Sequence, residues 1–128
     1  GQRLGTIGYQ GNTAGELNFP VAVTRLEDGM VAVLDKMRFN VLCFSADGRF
    51  LGEFGGKGYR DGWFYHPSLL TVDGAGRVVV GQIYDSRVQV CAIPQFIHDK
   101  NSQSRSARRG EDDAAEGMGN GVAAATLR

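Results

Sequence analysis

The sequence is poor in the residues that staple a fold or tune a site. It has 2 cysteines, 2 histidines, 3 prolines and a single tryptophan. Two cysteines cannot build the dense framework of a small disulfide-rich domain. His66 and His98 stand far apart, with no His-x-x-His or Cys-x-x-Cys spacing and no acidic loop of calcium spacing. No metal or other cofactor is therefore expected. Net charge is missing as well: 14 Lys and Arg balance 14 Asp and Glu. A protein that grips a phosphate backbone carries a basic excess, so this balance argues against nucleic acid as the partner. Nothing approaches the ~20 apolar residues that span a bilayer, and no membrane association is expected. The opening "GQRLGTIGYQ" lacks the apolar stretch of a signal peptide and an initiating Met. The compartment stays open, and a processed, trimmed or partial chain is expected. Gly-x-Ser-x-Gly, P-loop and dinucleotide fingerprints do not occur; "GEFGGKG" has phosphate-loop glycines but no helix after it.

What is abundant is glycine, 19 of 128 residues. Frequent turns favour many short strands over long helices. The glycines also mark an internal repeat. Residues 4–44 align with residues 51–91 at a constant offset of 47 and without a gap. The identities include Gly8/Gly55, Gly15/Gly62, Pro20/Pro67, Gly29/Gly76, Val31/Val78 and Val41/Val88. Turn residues and strand residues thus keep one register. Each unit reads as a first run ("RLGTIG", "RFLGEFG"), a glycine-rich loop closing at Pro20 or Pro67, and three Val-rich runs of strand length bounded by Gly and Asp turns. Repeats of roughly 40–50 residues with four strands apiece are the pattern of propeller blades. The first run of each unit would be the outer strand of the preceding blade.

The segments "NVLCFSADGRFLGEFG" and "SLLTVDGAGRVVV", with "FP-VAV" before and "SRVQVC" after, resemble the NHL repeat, over residues 4–97. The resemblance implies an all-β fold: two four-stranded antiparallel propeller-type blades (4–50 and 51–97). It is imperfect where Gln82 replaces the Asp seen at Asp35, and where Asn40 replaces the Arg seen at Arg87. Two blades cannot close a ring. Three readings stay open: a piece of a longer propeller, head-to-tail self-association of three chains, or a stand-alone eight-strand sandwich.

Past Pro94 large apolar residues thin out and mixed charge dominates, so residues 98–128 are expected to be a disordered polar tail. Cys43 aligns with Val90 and Cys91 with Phe44, one position apart on equivalent strands. Strand alternation then places the two thiols on opposite sheet faces, and buried unpaired thiols are expected. His66, aligned with Phe19, has a packing role at a loop end.

Function rests on the loops. In a propeller the connectors from strand four of one blade to the next share one face with the turns from strand two to strand three. That face gathers Tyr59, Arg60, Trp63 and Tyr65, with Lys36, Arg38, Lys57 and Tyr84. Aromatic anchors beside Arg are what recognition surfaces favour. The expected function is a non-catalytic binding or scaffold module for a protein or peptide. The family resemblance also implies two alternatives: an RNA-binding surface, as in members attached to tripartite-motif ubiquitin ligases, or a fragment of an amidating-lyase-like enzyme. The latter use propeller histidines as metal ligands, a set absent from this sequence.

Overall fold

The computed structural model describes residues 1–114. The distal part of the expected tail, 115–128, lies outside the described residues.

Two antiparallel sheets lie face to face. The first has four strands in the order β3 (Pro20–Arg25), β4 (Val31–Asp35), β5 (Asn40–Phe44) and β6 (Phe50–Gly55). The second has three, β7 (Pro67–Val72), β8 (Val78–Gln82) and β9 (Arg87–Cys91). A short parallel pair, β1 (Tyr9–Gln10) with β2 (Glu16–Leu17), precedes them. The fold is all-β up to Cys91. The run 49–55 indeed closes the sheet before it, with Val41 opposite Phe54 and Leu42 opposite Glu53.

Burial explains the composition of the strands. β4 and β5 are buried on both faces, and both read as almost continuous apolar runs. A strand covered on two sides needs no polar alternation. β9 alternates between half-buried and exposed, because the far face of the second sheet is open. Between the sheets lies the main core: Met30, Ala32, Leu34, Val41 and Cys43 from the first, Val78 and Val80 from the second, with Phe64 and Leu51. A smaller cluster of Val33, Leu42 and Phe44 covers the far face of the first sheet, with Ile7, Leu17, Val31 and Phe50 packed on it.

The offset of 47 survives in three dimensions. Gly8 and Gly55, Gly15 and Gly62, and Gly29 and Gly76 all take positive φ, a conformation open to glycine at little steric cost. Phe39 and Ser86, also 47 apart, take positive φ at 57° and 50° in the turns before β5 and β9. The Gly11 amide donates to the Leu17 carbonyl at 2.8 Å, and the Gly58 amide to the Phe64 carbonyl at 2.9 Å. Even the small clusters correspond: Ile7, Leu17, Val31 and Val33 on the far cluster match Phe54, Phe64, Val78 and Val80 in the main core.

Three expectations fail. The second blade, expected with four strands, has three, because the chain after β9 turns into a helix and supplies no fourth. Residues 3–8 form no strand, since no ladder partner stands beside them among the described residues. The expected disorder of the tail fails over residues 98–114, which belong to a helix, α1 (Gln95–Ala114). Its first turn supplies what the composition hides. Ile97 is fully buried in the main core beside Ile93, and Phe96 and Ile97 seat against Gly52, where an added Cβ would meet their side chains at 2.6 and 2.7 Å. Pro94 just before the helix suits its start, and its carbonyl receives the Ile97 amide at 3.0 Å. Asp28 pairs with Arg105 at 3.3 Å farther along.

The cysteines are unpaired. They occupy opposite faces of their own sheets, and since the two sheets face each other, both thiols turn toward the same core.

Candidate recognition surface

Three loops meet at one end of the sheets: the turn 36–39 between β4 and β5, the connector 56–66 between β6 and β7, and the turn 83–86 between β8 and β9. The left-handed backbone at Phe39 and at His66 (φ 57° and 47°) directs both rings into this junction. There the aromatic side chains form a continuous row. The Tyr59 ring lies 4.6 Å from Tyr65, and Tyr65 stands edge-on to His66 at 4.3 Å. His66 in turn stands edge-on to Tyr84 at 4.8 Å. Phe39 backs the row, stacked on Tyr65 at 6.4 Å and edge-on to His66 at 5.8 Å. The Lys57 ammonium sits 5.6 Å from the Phe39 ring centre, within cation–π range. Both ends of the row are open to solvent, Tyr59 at 62% and Tyr84 at 71% exposure.

Ring contacts of this kind each add ~0.5–1.5 kcal/mol beyond the area they bury, so the row is a fixed platform. Its chemistry is that of an apolar strip with hydroxyls along it. The Tyr59 hydroxyl is pushed above its ordinary 10.0, first by its hydrogen bond with the Tyr65 side chain and then by desolvation and nearby charge.

Of the eight residues singled out by sequence, Tyr59, Tyr65, Tyr84 and Lys57 come together here. The others are placed apart from the row. Trp63 is half exposed and lays its ring over Gly56, where an added Cβ would meet it at 2.8 Å, while a Cβ at Gly58 would meet the Trp63 Cβ at 3.1 Å. Its carbonyl accepts from Gln89 Nε2 at 2.7 Å. Arg60 is exposed, and its carbonyl accepts from the Trp63 amide and from Arg87. The Lys36 amide donates to the Phe19 carbonyl at 2.9 Å.

Arg38 departs most from a recognition role. Its guanidinium clasps both Glu53 oxygens at 2.8 Å and donates to the Glu16 carbonyl at 2.7 Å, with only 10% of the side chain exposed. It ties the 36–39 turn to β6 and to the glycine-rich loop. Sequence reasoning missed Phe39 and gave His66 only a packing role. The usable signal was positional: each abuts a loop closure that the repeat already marks. Among the described residues, no three His, Cys, Asp or Glu side chains converge as a metal site would require.

Comparison with known proteins is sparse. No family model matches the chain. A stretch of 58 residues, 45% of the chain, is 38% identical to RING finger protein nhl-1 of Caenorhabditis elegans. The match is partial. It spans 6% of that protein's length, and it agrees with repeats of the NHL kind. An interaction module is the most it supports.

Proposed function

We propose that this chain is a non-catalytic binding module that recognises a protein or peptide segment along the row Tyr59–Tyr65–His66–Tyr84. The observation that carries this reading is the row itself. Four rings are held in mutual contact across two loops, with both ends exposed instead of folded into the core. Preformed aromatic surface loses little entropy on binding and supplies much of the energy in interfaces. Lys57 at the side of the strip would favour a partner carrying an acidic group near its apolar anchor. The partial likeness to nhl-1 is in keeping with an interaction role.

The test is selection of binders from a displayed random-peptide library, followed by calorimetric titration. Tyr59→Ala and Tyr84→Ala should each weaken the selected peptides about tenfold or more. Lys57→Ala should act more on peptides with acidic residues. Failure to select any peptide, or indifference of the selected ones to both tyrosines, would refute the reading. Salt-sensitive retention on immobilised poly(U), lost in Lys57→Ala, would favour RNA instead. Tightly bound zinc or calcium found by elemental analysis would favour the enzyme reading.

A further inference from the structure

The second sheet wears its strand pattern inside out. In β9 the polar side chains of Arg87 and Gln89 turn inward, where they hold the 60–63 connector by its carbonyls. Val88 and Val90 turn outward, 66% and 54% exposed, and Leu69 of β7 joins them at 68%. A solvated sheet face places its apolar residues the other way. This face is written to be covered.

The repeat says by what. Leu69, Val79, Gly81, Val88 and Val90 are the images, 47 residues on, of Ala22, Ala32, Leu34, Val41 and Cys43. Those five are among the residues by which the first sheet packs against the second. The surface that would meet the open face is present too. On the far face of the first sheet, a shallow groove is lined by Val23, Thr24, Arg25, Gly29, Val31 and Ala46. Its images include Leu70, Val72, Val78 and Ile93, all of which pack in the main core. The two sheets of one chain therefore display the two halves of a contact that the chain already makes once internally.

The edges agree with the faces. β6 supplies the fourth strand of the first sheet, and the second sheet has none. The image of β6 residues 51–55 is the segment 4–8. That segment forms no strand here, yet Ile7, the image of Phe54, already packs on the far cluster beside the groove. It lies against the far face of the first sheet, away from the β9 edge of its own chain.

We propose that a second copy of this chain docks head to tail, laying the far face of its first sheet on the open face of the second sheet. Its residues 4–8 then add to β9 as a fourth, antiparallel strand. Shifting the observed β5–β6 register by 47 gives the pairing: Arg87 with Gly8, Val88 with Ile7, Gln89 with Thr6 and Val90 with Gly5. At one end the images change character, Leu26 and Met30 becoming Asp73 and Arg77, which form an ion pair at 2.6 Å. That polar margin makes the contact between copies weaker than the internal one, and hence reversible. Contacts of this heterologous kind close into rings or propagate, as the rotation dictates.

The test is light scattering on the full 128-residue chain over a concentration series reaching the millimolar range. The wild type should associate. Val88→Glu, which breaks the face, and the double change Gly5→Pro/Thr6→Pro, which removes edge amides whichever one points at β9, should each be monomeric with the native circular dichroism spectrum. Association should weaken about a hundredfold, since a carboxylate would be buried unpaired. Val90→Lys repeats the first test if Val88→Glu does not fold. Mixed together, the face variant and the edge variant should form a one-to-one dimer, because each keeps the half the other lost. Tyr84→Ala should leave all of this unchanged, so failure of the aromatic-row reading is separable. A wild type monomeric throughout, association indifferent to both lesions, or a mixture that stays monomeric would each overturn the proposal.

Discussion

Asp35 and Gln82 stand 47 residues apart at the same place in the repeat, and they hold different things. The buried Asp35 carboxylate accepts the amides of Asn18 at 2.6 Å, Phe19 at 3.0 Å, Met37 at 3.0 Å and Arg38 at 2.9 Å. It thereby fixes the turn before β5 and the end of the glycine-rich loop together. Gln82 donates to the Asp85 carboxylate and accepts from the Gln89 side chain. Asp35→Ala should cost about 3 kcal/mol in urea denaturation, because it orphans amides that a charged acceptor satisfied, and Gln82→Ala about 1 kcal/mol. Equal losses would contradict this division.

Arg38 and Glu53 give a second prediction. Arg38→Ala should destabilise by about 2 kcal/mol, less than a fully buried pair would lose, since Glu53 keeps access to water. The loss should shrink in the double variant Arg38→Ala/Glu53→Gln, as read from a double-mutant cycle. Peptide binding per folded molecule should be unaffected by Arg38→Ala.

The thiols differ in environment. Burial pushes the Cys43 thiol from 9.0 up to about 12, and Cys91 is raised by burial as well. At pH 8, Ellman's reagent should label Cys91 first and Cys43 only as fast as the main core opens. The linkage sign follows from the raised value. The folded state holds the Cys43 proton more tightly than the unfolded one, so this contribution is complete below pH 9 and disappears as pH climbs toward 12. Cys43→Ala should flatten that part of the stability–pH curve.

The glycine pair Gly15 and Gly62 separates backbone from surroundings. Both have positive φ, at 82° and 80°. A Cβ at Gly62 enters open space, whereas one at Gly15 would lie 2.9 Å from the Phe50 ring. Gly62→Ala should cost only the left-handed penalty of about 1–2 kcal/mol. Gly15→Ala should cost measurably more in the same denaturation experiment, and the reverse order would contradict the packing described.

The sheets were legible because their strands are short Val-rich runs cut by glycines that the backbone requires, and the internal repeat doubled that signal. Even the outer-strand phase could be read, since "GRFLGEFG" must close the sheet before it. Two parts were not legible. Helix α1 buries itself through Ile97 and Asn101 alone among residues 98–103 and its first turn, and one apolar turn leaves no period to detect. The aromatic row was half legible. Tyr59, Tyr65 and Tyr84 stand out by composition, but Phe39 and His66 enter it through left-handed backbone that no side-chain pattern announces.

The seat of α1 on Gly52 has a kinetic corollary. A single missing methyl group lets Phe96 and Ile97 lock against β6, and farther along the helix the described side chains add the buried Asn101 and the Arg105–Asp28 pair. Breathing of the molecule should therefore begin at that latch: the first turn lifts off Gly52, the core beside Ile93 and Ile97 takes up solvent, and the strands outlast it.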